Sequence, residues 1–400
     1  MSTVEEKLLV EAERRIFSLG LGDSASILSH INMRYGLAKI IFVLQQRGID
    51  ITETFCILGP DATISRNFDR WSSGFGYGCL IQWPNEKYTR VKMIFPEVRP
   101  NACGMILALM RDEVISHDNL LRRIHEVKGK ELYIGDIPIK WDLGKSNHFI
   151  EVLTVKKSKL DELSVGSYAA LIHTSASELK ERLYLFEDFG DCWLDTSLGR
   201  CCVLEGRAAA NYYDQYKRLE AFSMEKKRLL LTEIFGDCEI ICNPVHQGLF
   251  ATNKMRLGIY DSMDSSTCTW KTPLFPLALR WDVPVYLMKG IQNLSHDALH
   301  YLGFSERVEE LGISDFVGNA NILPHGGGYE LKISHREIRE IQTRDLRLFK
   351  IATRSGKPLI FSNPREFPYT YRGRKVLRKI QEYVLGEPIA EFRQVCSYKI

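Results

Sequence analysis

The sequence predicts an α+β protein, in which strands and helices alternate irregularly rather than in regular βαβ units. Two short β-like runs, Phe149–Val155 and Tyr168–His173, precede Ala208–Leu231, a long stretch with helical spacing and mixed charges. No internal repeat and no linker rich in Pro, Gly or Ser divides the 400 residues. Length alone allows two or three domains, although one intertwined domain can also reach this size.

The same patterns predict the other elements in chain order. Helical segments repeat apolar residues at helical spacing among Glu, Lys and Arg, whereas strand segments are short, apolar and bounded by turn residues. The predicted helices are Val4–Phe17, Asp118–Val127, Ala208–Leu231, Ile333–Lys350 and Leu377–Leu385. The predicted strands and buried apolar runs are Ile40–Leu44, Gly74–Gln82, Val91–Phe95, Met105–Met110, Phe149–Val155, Tyr168–His173, Val283–Met288 and Phe392–Tyr398.

The charge balance excludes a protein that binds nucleic acid through its overall charge. Lys and Arg number 53 against 50 Asp and Glu, a net charge of +3, so any nucleic acid would need a local basic patch. The ten cysteines include no CxxC pair and therefore no zinc-finger spacing. Because no run of about 18 apolar residues exists, we expect a soluble cytoplasmic protein with free thiols and no membrane partner.

Four segments place a cysteine or histidine at a turn beside an apolar run. They contain Cys103, His148, His173 and His246. Imidazole and thiolate together suit manganese, iron, cobalt or zinc, although a buried cysteine or a hydrogen-bonded core histidine is the commoner role of such residues. Because no local spacing such as HExxH occurs, the fold would have to assemble any metal site from distant segments.

A fifth segment, Leu323–Tyr329, carries a histidine followed by three glycines. Gly326, Gly327 and Gly328 would let backbone amides approach a phosphate closely. His325 beside them could attack the α-phosphate of a nucleotide. The alternative is a glycine turn with an incidental histidine.

Taken in chain order, these segments resemble motifs of the RtcB-type RNA ligase family. Asn147-His148-Phe149-Ile150-Glu151 is similar to the family's G-N-H-F-[IL]-E motif and is the most specific match. The further similarities are Cys103-Gly104-Met105 to the end of D-x-G-C-G-M, Ile172-His173 to the histidine before S-G-S-R, Val245-His246-Gln247 to A-H-N, His325-Gly326-Gly327-Gly328 to H-G-A-G-R, Glu366–Tyr371 to E-A-P-x-A-Y, and Arg393–Lys399 to R-Q-V-V-C-V-K-G.

The resemblance implies a single catalytic domain over residues 1–400, with β-sheets around a central metal and nucleotide site. It implies a Mn²⁺- and GTP-dependent ligase that joins RNA 3′-phosphate or 2′,3′-cyclic phosphate ends to 5′-hydroxyl ends, as in RNA repair or tRNA splicing, with an archease-like activator as a further partner. His325 would become guanylylated. By the same resemblance, the metal ligands would be Cys103, His148, His173 and His246, and the nucleotide contacts would be Asn147, Glu151, Gly326, Gly327, Gly328, Tyr371 and Lys399.

The chain also departs from the family pattern. The metal-binding aspartate of D-x-G-C-G-M falls at Pro100, with Asn101 or Glu97 as substitutes after a shift, and Tyr329 replaces the arginine of H-G-A-G-R. The arginine of S-G-S-R and the histidine of the early P-D-V-H-x-G motif are also missing; the latter motif reads Pro60-Asp61-Ala62-Thr63 here. One of the two metal positions is therefore incomplete.

These losses keep two other functions open. The chain could be a catalytically weakened paralogue that binds RNA ends or a nucleotide, or a metal-dependent phosphoesterase that no longer ligates. The basic segment Arg365–Lys379 could contact an RNA backbone, or it could be a solvated helix face.

Overall fold

The computed structural model describes residues 3–111, 116–342 and 347–399. Its α-helices are Val4–Arg14 (α1), Ser24–Gln46 (α2), Phe68–Ser72 (α3), Glu86–Thr89 (α4), His117–Lys128 (α5), Lys180–Leu183 (α6), Gly206–Phe235 (α7), His296–Tyr301 (α8), Ser305–Glu310 (α9), Ser314–Gly318 (α10) and Arg374–Glu382 (α11). Short 3₁₀ turns lie at Pro96–Val98, Phe186–Phe189 and Pro364–Glu366.

Its strands are Ile16–Ser18 (β1), Phe55–Thr63 (β2), Tyr77–Gln82 (β3), Met93–Ile94 (β4), Gly104–Met110 (β5), Tyr133–Ile134 (β6), Ile137–Pro138 (β7), Phe149–Ser158 (β8), Tyr168–Thr174 (β9), Trp193–Thr196 (β10), Gly199–Cys202 (β11), Leu204–Glu205 (β12), Cys238–Cys242 (β13), Gln247–Ala251 (β14), Lys254–Leu257 (β15), Ile259–Asp261 (β16), Leu274–Leu277 (β17), Val285–Gly290 (β18), Ile322–Pro324 (β19), Tyr329–Leu331 (β20), His335–Gln342 (β21), Arg347–Thr353 (β22), Pro358–Phe361 (β23), Tyr369–Tyr371 (β24) and Gly386–Tyr398 (β25). The α+β class predicted from the sequence is confirmed.

Two large sheets carry the fold. A seven-stranded antiparallel sheet has the order β13-β5-β9-β8-β25-β18-β17, and a five-stranded sheet has the order β1-β2-β3-β15-β14. Alternate residues of each strand face opposite sides. Met105 and Leu107 of the larger sheet therefore share one core with Phe55 and Ile57 of the smaller one, so the two sheets pack face to face.

Helices cover the outer faces of both sheets. Ile106 and Ala108 point away from the shared core and pack with α5 and the C-terminal part of α7. Cys56 and Leu58 point the other way, toward α2 and the N-terminal part of α7. Helix α2 is long and apolar enough to cross a membrane by length and composition alone, but 72% of its most apolar window is buried inside this structure. That burial is the behaviour of a core helix.

Most predicted elements lie close to their observed positions, and the exceptions are informative. The first helix ends at Arg14 rather than Phe17, because Ile16–Ser18 pairs in parallel with β2. The last helix is Arg374–Glu382 rather than Leu377–Leu385. The sequence patterns also missed the length of α2, of which only Ile40–Leu44 stood out.

The helix predicted over Ile333–Lys350 is wrong. His335–Gln342 and Arg347–Thr353 form two antiparallel strands, and residues 343–346 lie outside the described residues. Phe349 and Ile351 alternate into a small core with Trp71, so burial at a period of two outweighs the helix propensity of the charged residues.

The basic segment Arg365–Lys379 is also corrected in part. Arg372 is fully buried and makes two 2.7 Å hydrogen bonds to the carboxylate of Asp23. Lys375 and Lys379 form exposed ion pairs with Glu330 and Glu382. Arg372 is therefore a structural residue and is not available to an RNA backbone.

Candidate metal and nucleotide site

The four predicted metal ligands converge at one end of the seven-stranded sheet. Cys103 Sγ lies 3.0 Å from His173 Nε2 and 3.7 Å from His148 Nε2. His173 Nε2 lies 3.3 Å from His246 Nε2. We refer to Cys103, His148, His173 and His246 as the strand-end cluster.

Antiparallel pairing explains this convergence. Strands β5 and β8 flank β9 and run antiparallel to it. The first residues of β5 and β8 and the last residue of β9 therefore lie at the same end of the sheet. Cys103 directly precedes β5, His148 directly precedes β8, and His173 is paired with both Met105 and Phe149. The fourth residue, His246, is held beside them by the main chain. Val245 forms a bridge with Gly104, and His246 N donates a 2.9 Å hydrogen bond to Cys103 O.

Hydrogen bonds orient two of the imidazoles for metal binding. Because a carbonyl oxygen only accepts, His173 Nδ1 must carry the proton that it donates to Asn147 O at 2.8 Å, which leaves a lone pair on Nε2 facing Cys103. His148 Nδ1 lies 3.1 Å from Asp142 Oδ2, a carboxylate contact typical of metal-bound histidine.

The pKa values of the histidines in the cluster are shifted in opposite directions. Burial, with the neighbouring His148 and His325, holds the pKa of His173 well below its ordinary value, and burial with His325 does the same for His246. Burial also lowers the pKa of His148, but the Asp142 and Cys103 contacts outweigh it and raise that pKa to about 9. His173 and His246 are therefore neutral, as metal ligands must be.

The donor set fits a transition-metal ion. Donor atoms of Cys103, His173 and His246 lie within 4.8 Å of one another, and all three residues are buried. Tetrahedral bonds of ordinary length would separate sulfur from nitrogen by about 3.6 Å and nitrogen from nitrogen by about 3.4 Å. The two nitrogens lie 3.3 Å apart, and the sulfur, 3.0 Å from His173 Nε2, would move away by about half an ångström to hold an ion. The three residues form a compact candidate site, and His148 adjoins it with Nε2 3.7 Å from Cys103 Sγ.

His325 lies beside this cluster. Its ring stacks on His246 with centroids 4.0 Å apart. Its Nδ1 donates a short hydrogen bond to Gly258 O and lies 3.4 Å from Asp61 Oδ2, while burial raises the pKa of Asp61. Because Gly258 O can only accept, the ring proton lies on Nδ1 and Nε2 keeps its lone pair.

The three glycines after His325 have packing roles that the sequence did not indicate. A Cβ at Gly327 would lie 2.2 Å from Arg372 O, and one at Gly328 would lie 2.3 Å from Asp61 O. Gly328 also has a φ of 60°, in the left-handed region. A side chain would therefore push away the segments that hold His325. Phosphate binding by their amides stays a prediction.

The predicted nucleotide residues line the same cavity, which has a volume of about 520 Å³. It is lined by Asn147, Glu151, the three glycines, Tyr371 and Lys399 as well as by Cys103, His148, His173 and His325. Lys399 Nζ lies 4.7 Å from the ring centroid of Tyr371. Burial raises the pKa of Glu151 to about 7, although Ser397 and Lys399 act in the opposite direction. The volume is that of a small-molecule site.

Asn101 and Glu97, the two residues that could replace the aspartate of the D-x-G-C-G-M motif, differ in position. Asn101 lines the cavity, and its Oδ1 accepts a 2.9 Å hydrogen bond from Cys103 N, so it caps the turn that presents the thiol. Glu97 ion-pairs with Lys39 and accepts a hydrogen bond from Cys202 N. Glu97 is thus engaged elsewhere.

Sequence reasoning missed several residues that shape this site. Asp142 contacts His148 and lies 3.1 Å from Lys226 Nζ. Asp61 contacts His325, although the sequence motifs assigned no role to it. Arg66 lines the cavity with its guanidinium 4.8 Å from the Tyr369 ring centroid. Asp61 had a detectable signal, a carboxylate inside an apolar run; Asp142 and Arg66 had none.

No protein-family model matches the chain, and no curated protein matches it significantly.

Proposed function

We propose that this chain is a divergent RtcB-type ligase that joins RNA 3′-phosphate or 2′,3′-cyclic phosphate ends to 5′-hydroxyl ends through a histidine–GMP intermediate. The observation that carries the proposal is the stacking of His325 on His246 within the same site as the strand-end cluster. Segments matched to separate family motifs thereby meet in one cavity, which an accidental resemblance would not require.

The residues around His325 suit nucleotide transfer. Nε2 of His325 would attack the α-phosphorus of GTP, forming an N–P bond as the bond to pyrophosphate breaks. The Nδ1 proton stays on the ring, held by Gly258 O with Asp61 alongside, so a cationic phosphoimidazole would be stabilised by the nearby carboxylate. A terminal RNA phosphate would take the GMP, and a 5′-hydroxyl would then displace it.

A metal ion would be held by Cys103, His173 and His246, with His148 adjoining, and when bound would neutralise charge on phosphate oxygens. Manganese is proposed from the family resemblance. The protein's own contribution is to keep the imidazoles of His173 and His246 neutral, since burial lowers the pKa of both.

Two tyrosines and a lysine of the cavity lining suit a nucleoside. Tyr329 and Tyr371 are in contact, with ring centroids 5.2 Å apart, and Lys399 lies over Tyr371. Glu151 and Lys399 together offer a hydrogen-bond acceptor and donors, which could pair with the edge of a guanine. Guanine is proposed on this complementarity and on the resemblance.

The decisive test is covalent labelling. The protein is incubated with Mn²⁺ and GTP labelled on its α-phosphate, and acid-labile label on the protein is measured. We expect label on the wild type and on His296→Ala, a control at a histidine that is 78% exposed, and none on His325→Ala. No label on the folded wild type, or label that survives His325→Ala, would contradict the mechanism.

A metal-dependent phosphoesterase is the second candidate, favoured by a compact three-donor site that lacks the family's aspartate. RNA with a 2′,3′-cyclic phosphate separates the two. Joined strands support the ligase, whereas an opened phosphate without joining supports the phosphoesterase. Binding without either product supports a weakened paralogue.

A further inference from the structure

The most exposed large apolar side chain among the described residues is Trp281, at 76%. It lies between β17 and β18 and lines the same cavity as His325. Tryptophan is usually largely buried because its ring carries much apolar surface. An exposed indole at the mouth of a cavity is therefore a candidate contact surface.

The main chain holds this loop against the site. Ala278 N donates a 3.3 Å hydrogen bond to His325 O, and Ala278 forms a bridge with Gly326. At the other end of the loop, Gln394 Nε2 donates a 2.7 Å hydrogen bond to Val283 O. Trp281 is thus carried by a segment tied to both the His325 loop and the last strand.

The charges near the cavity favour an anionic strand. Lys180 and Arg66 line it, and neither forms an ion pair within 4 Å among the described residues. Arg66 donates a short hydrogen bond to the Tyr369 hydroxyl and keeps its positive charge uncompensated by any described carboxylate. Arg280, next to Trp281, is already engaged by Asp282 through a 2.9 Å bond from Nη2 and a shorter one from Nε. A cavity lined by two cations without ion-pair partners in the described part of the chain, and by an exposed indole, has the components of a site for single-stranded nucleic acid.

We propose that Trp281 stacks on an unpaired base of the RNA strand whose terminal phosphate reaches His325. This rests on the proposed function for the identity of the strand, and it adds the substrate class: single-stranded or overhanging ends. His325 lines a cavity of about 520 Å³ and is only 8% exposed. A duplex cannot enter a cavity of that size, so the reacting end must leave its partner strand, and its neighbouring base is free to stack.

The test measures binding of a short labelled single-stranded RNA with a 3′-phosphate by fluorescence anisotropy, without GTP. We expect Trp281→Ala to weaken binding by about 5- to 150-fold, the range of one base stacked on an aromatic ring. Trp281→Phe should keep most of the affinity because a smaller aromatic face remains. Tyr301→Ala, at a 66% exposed tyrosine outside the cavity lining, should match the wild type.

A blunt duplex of the same sequence is the second ligand. We expect it to bind more weakly than the single strand, with no loss on Trp281→Ala. Equal affinities of Trp281→Ala and Tyr301→Ala for the single strand would overturn the inference, and so would a change of oligomeric state on Trp281→Ala with RNA binding intact. Because the measurement needs no GTP, absence of guanylylation would defeat the ligase proposal and leave this result standing.

Discussion

Three residues of the strand-end cluster and the loop that carries His325 line the same cavity, but different interactions hold them in place. Cys103, His148 and His173 sit at the ends of three neighbouring strands, where the hydrogen-bond ladder sets their spacing. His325 follows β19 in a loop that has a main-chain bridge, between Ala278 and Gly326, and is otherwise held mainly by buried side-chain contacts, to Gly258 O and beside Arg372. One half of the site is thus spaced by regular strand pairing, whereas the other half, around His325, depends mainly on individual side-chain contacts.

Replacement of Arg372, which packs beside the His325 loop, should give the largest effect. Its guanidinium binds Asp23 and the carbonyls of Asp61 and Ala62, all while fully buried. Arg372→Met should lower the free energy of unfolding by about 3 to 5 kcal/mol, because it leaves a partly buried carboxylate unpaired. Urea denaturation measures this change.

The exposed Arg374→Met is the matched control and should change stability by less than about 0.5 kcal/mol. In the protein that remains folded, cobalt affinity of the strand-end cluster should stay near the wild-type value. A parallel loss of metal affinity in Arg372→Met would mean that the two halves are not independent.

Glu151 lies in the cavity between the two halves, and its effect depends on pH. Its folded pKa of about 7 exceeds the ordinary value of 4.5, so the folded state holds the proton more tightly and stability falls as pH rises from 4.5 to 7. The decline should amount to about 3 kcal/mol. Glu151→Gln should abolish that decline, so the variant and the wild type diverge above pH 7 and converge near pH 4.5.

Urea denaturation across this pH range is the measurement. An unchanged pH dependence in Glu151→Gln would show that the carboxyl is not protonated in the folded protein at neutral pH.

The strand-end cluster itself is tested by removing its thiol. A metal at 100 times its dissociation constant should stabilise the protein by about 2.7 kcal/mol. Cys103→Ser should lose this stabilisation together with the thiolate-to-cobalt absorption band. Cys396→Ser, at a half-buried cysteine outside the cavity lining, should keep both. Retention of the band in Cys103→Ser would exclude Cys103 as a ligand.

The smallest expected effect concerns Asp142, which touches the cluster only through His148. Asp142→Asn should lower metal affinity by about 10- to 100-fold, as losses of carboxylates behind metal-bound histidines do. Asp136→Asn, at an exposed carboxylate, is the control. Wild-type affinity in folded Asp142→Asn would leave His148 outside the coordination shell.

The sequence by itself determined the α+β class, most strands and part of the cavity lining, including Cys103, His148, His173 and His325. Those predictions were possible because short apolar runs are local and because motifs matched in order identify individual residues. Only the tertiary structure decided that Ile333–Lys350 contains strands, that Arg372 is buried, and that the glycines pack against Asp61 and Arg372. It also brought in Asp142 and Trp281, since a residue's partners and exposure depend on segments far away in the chain.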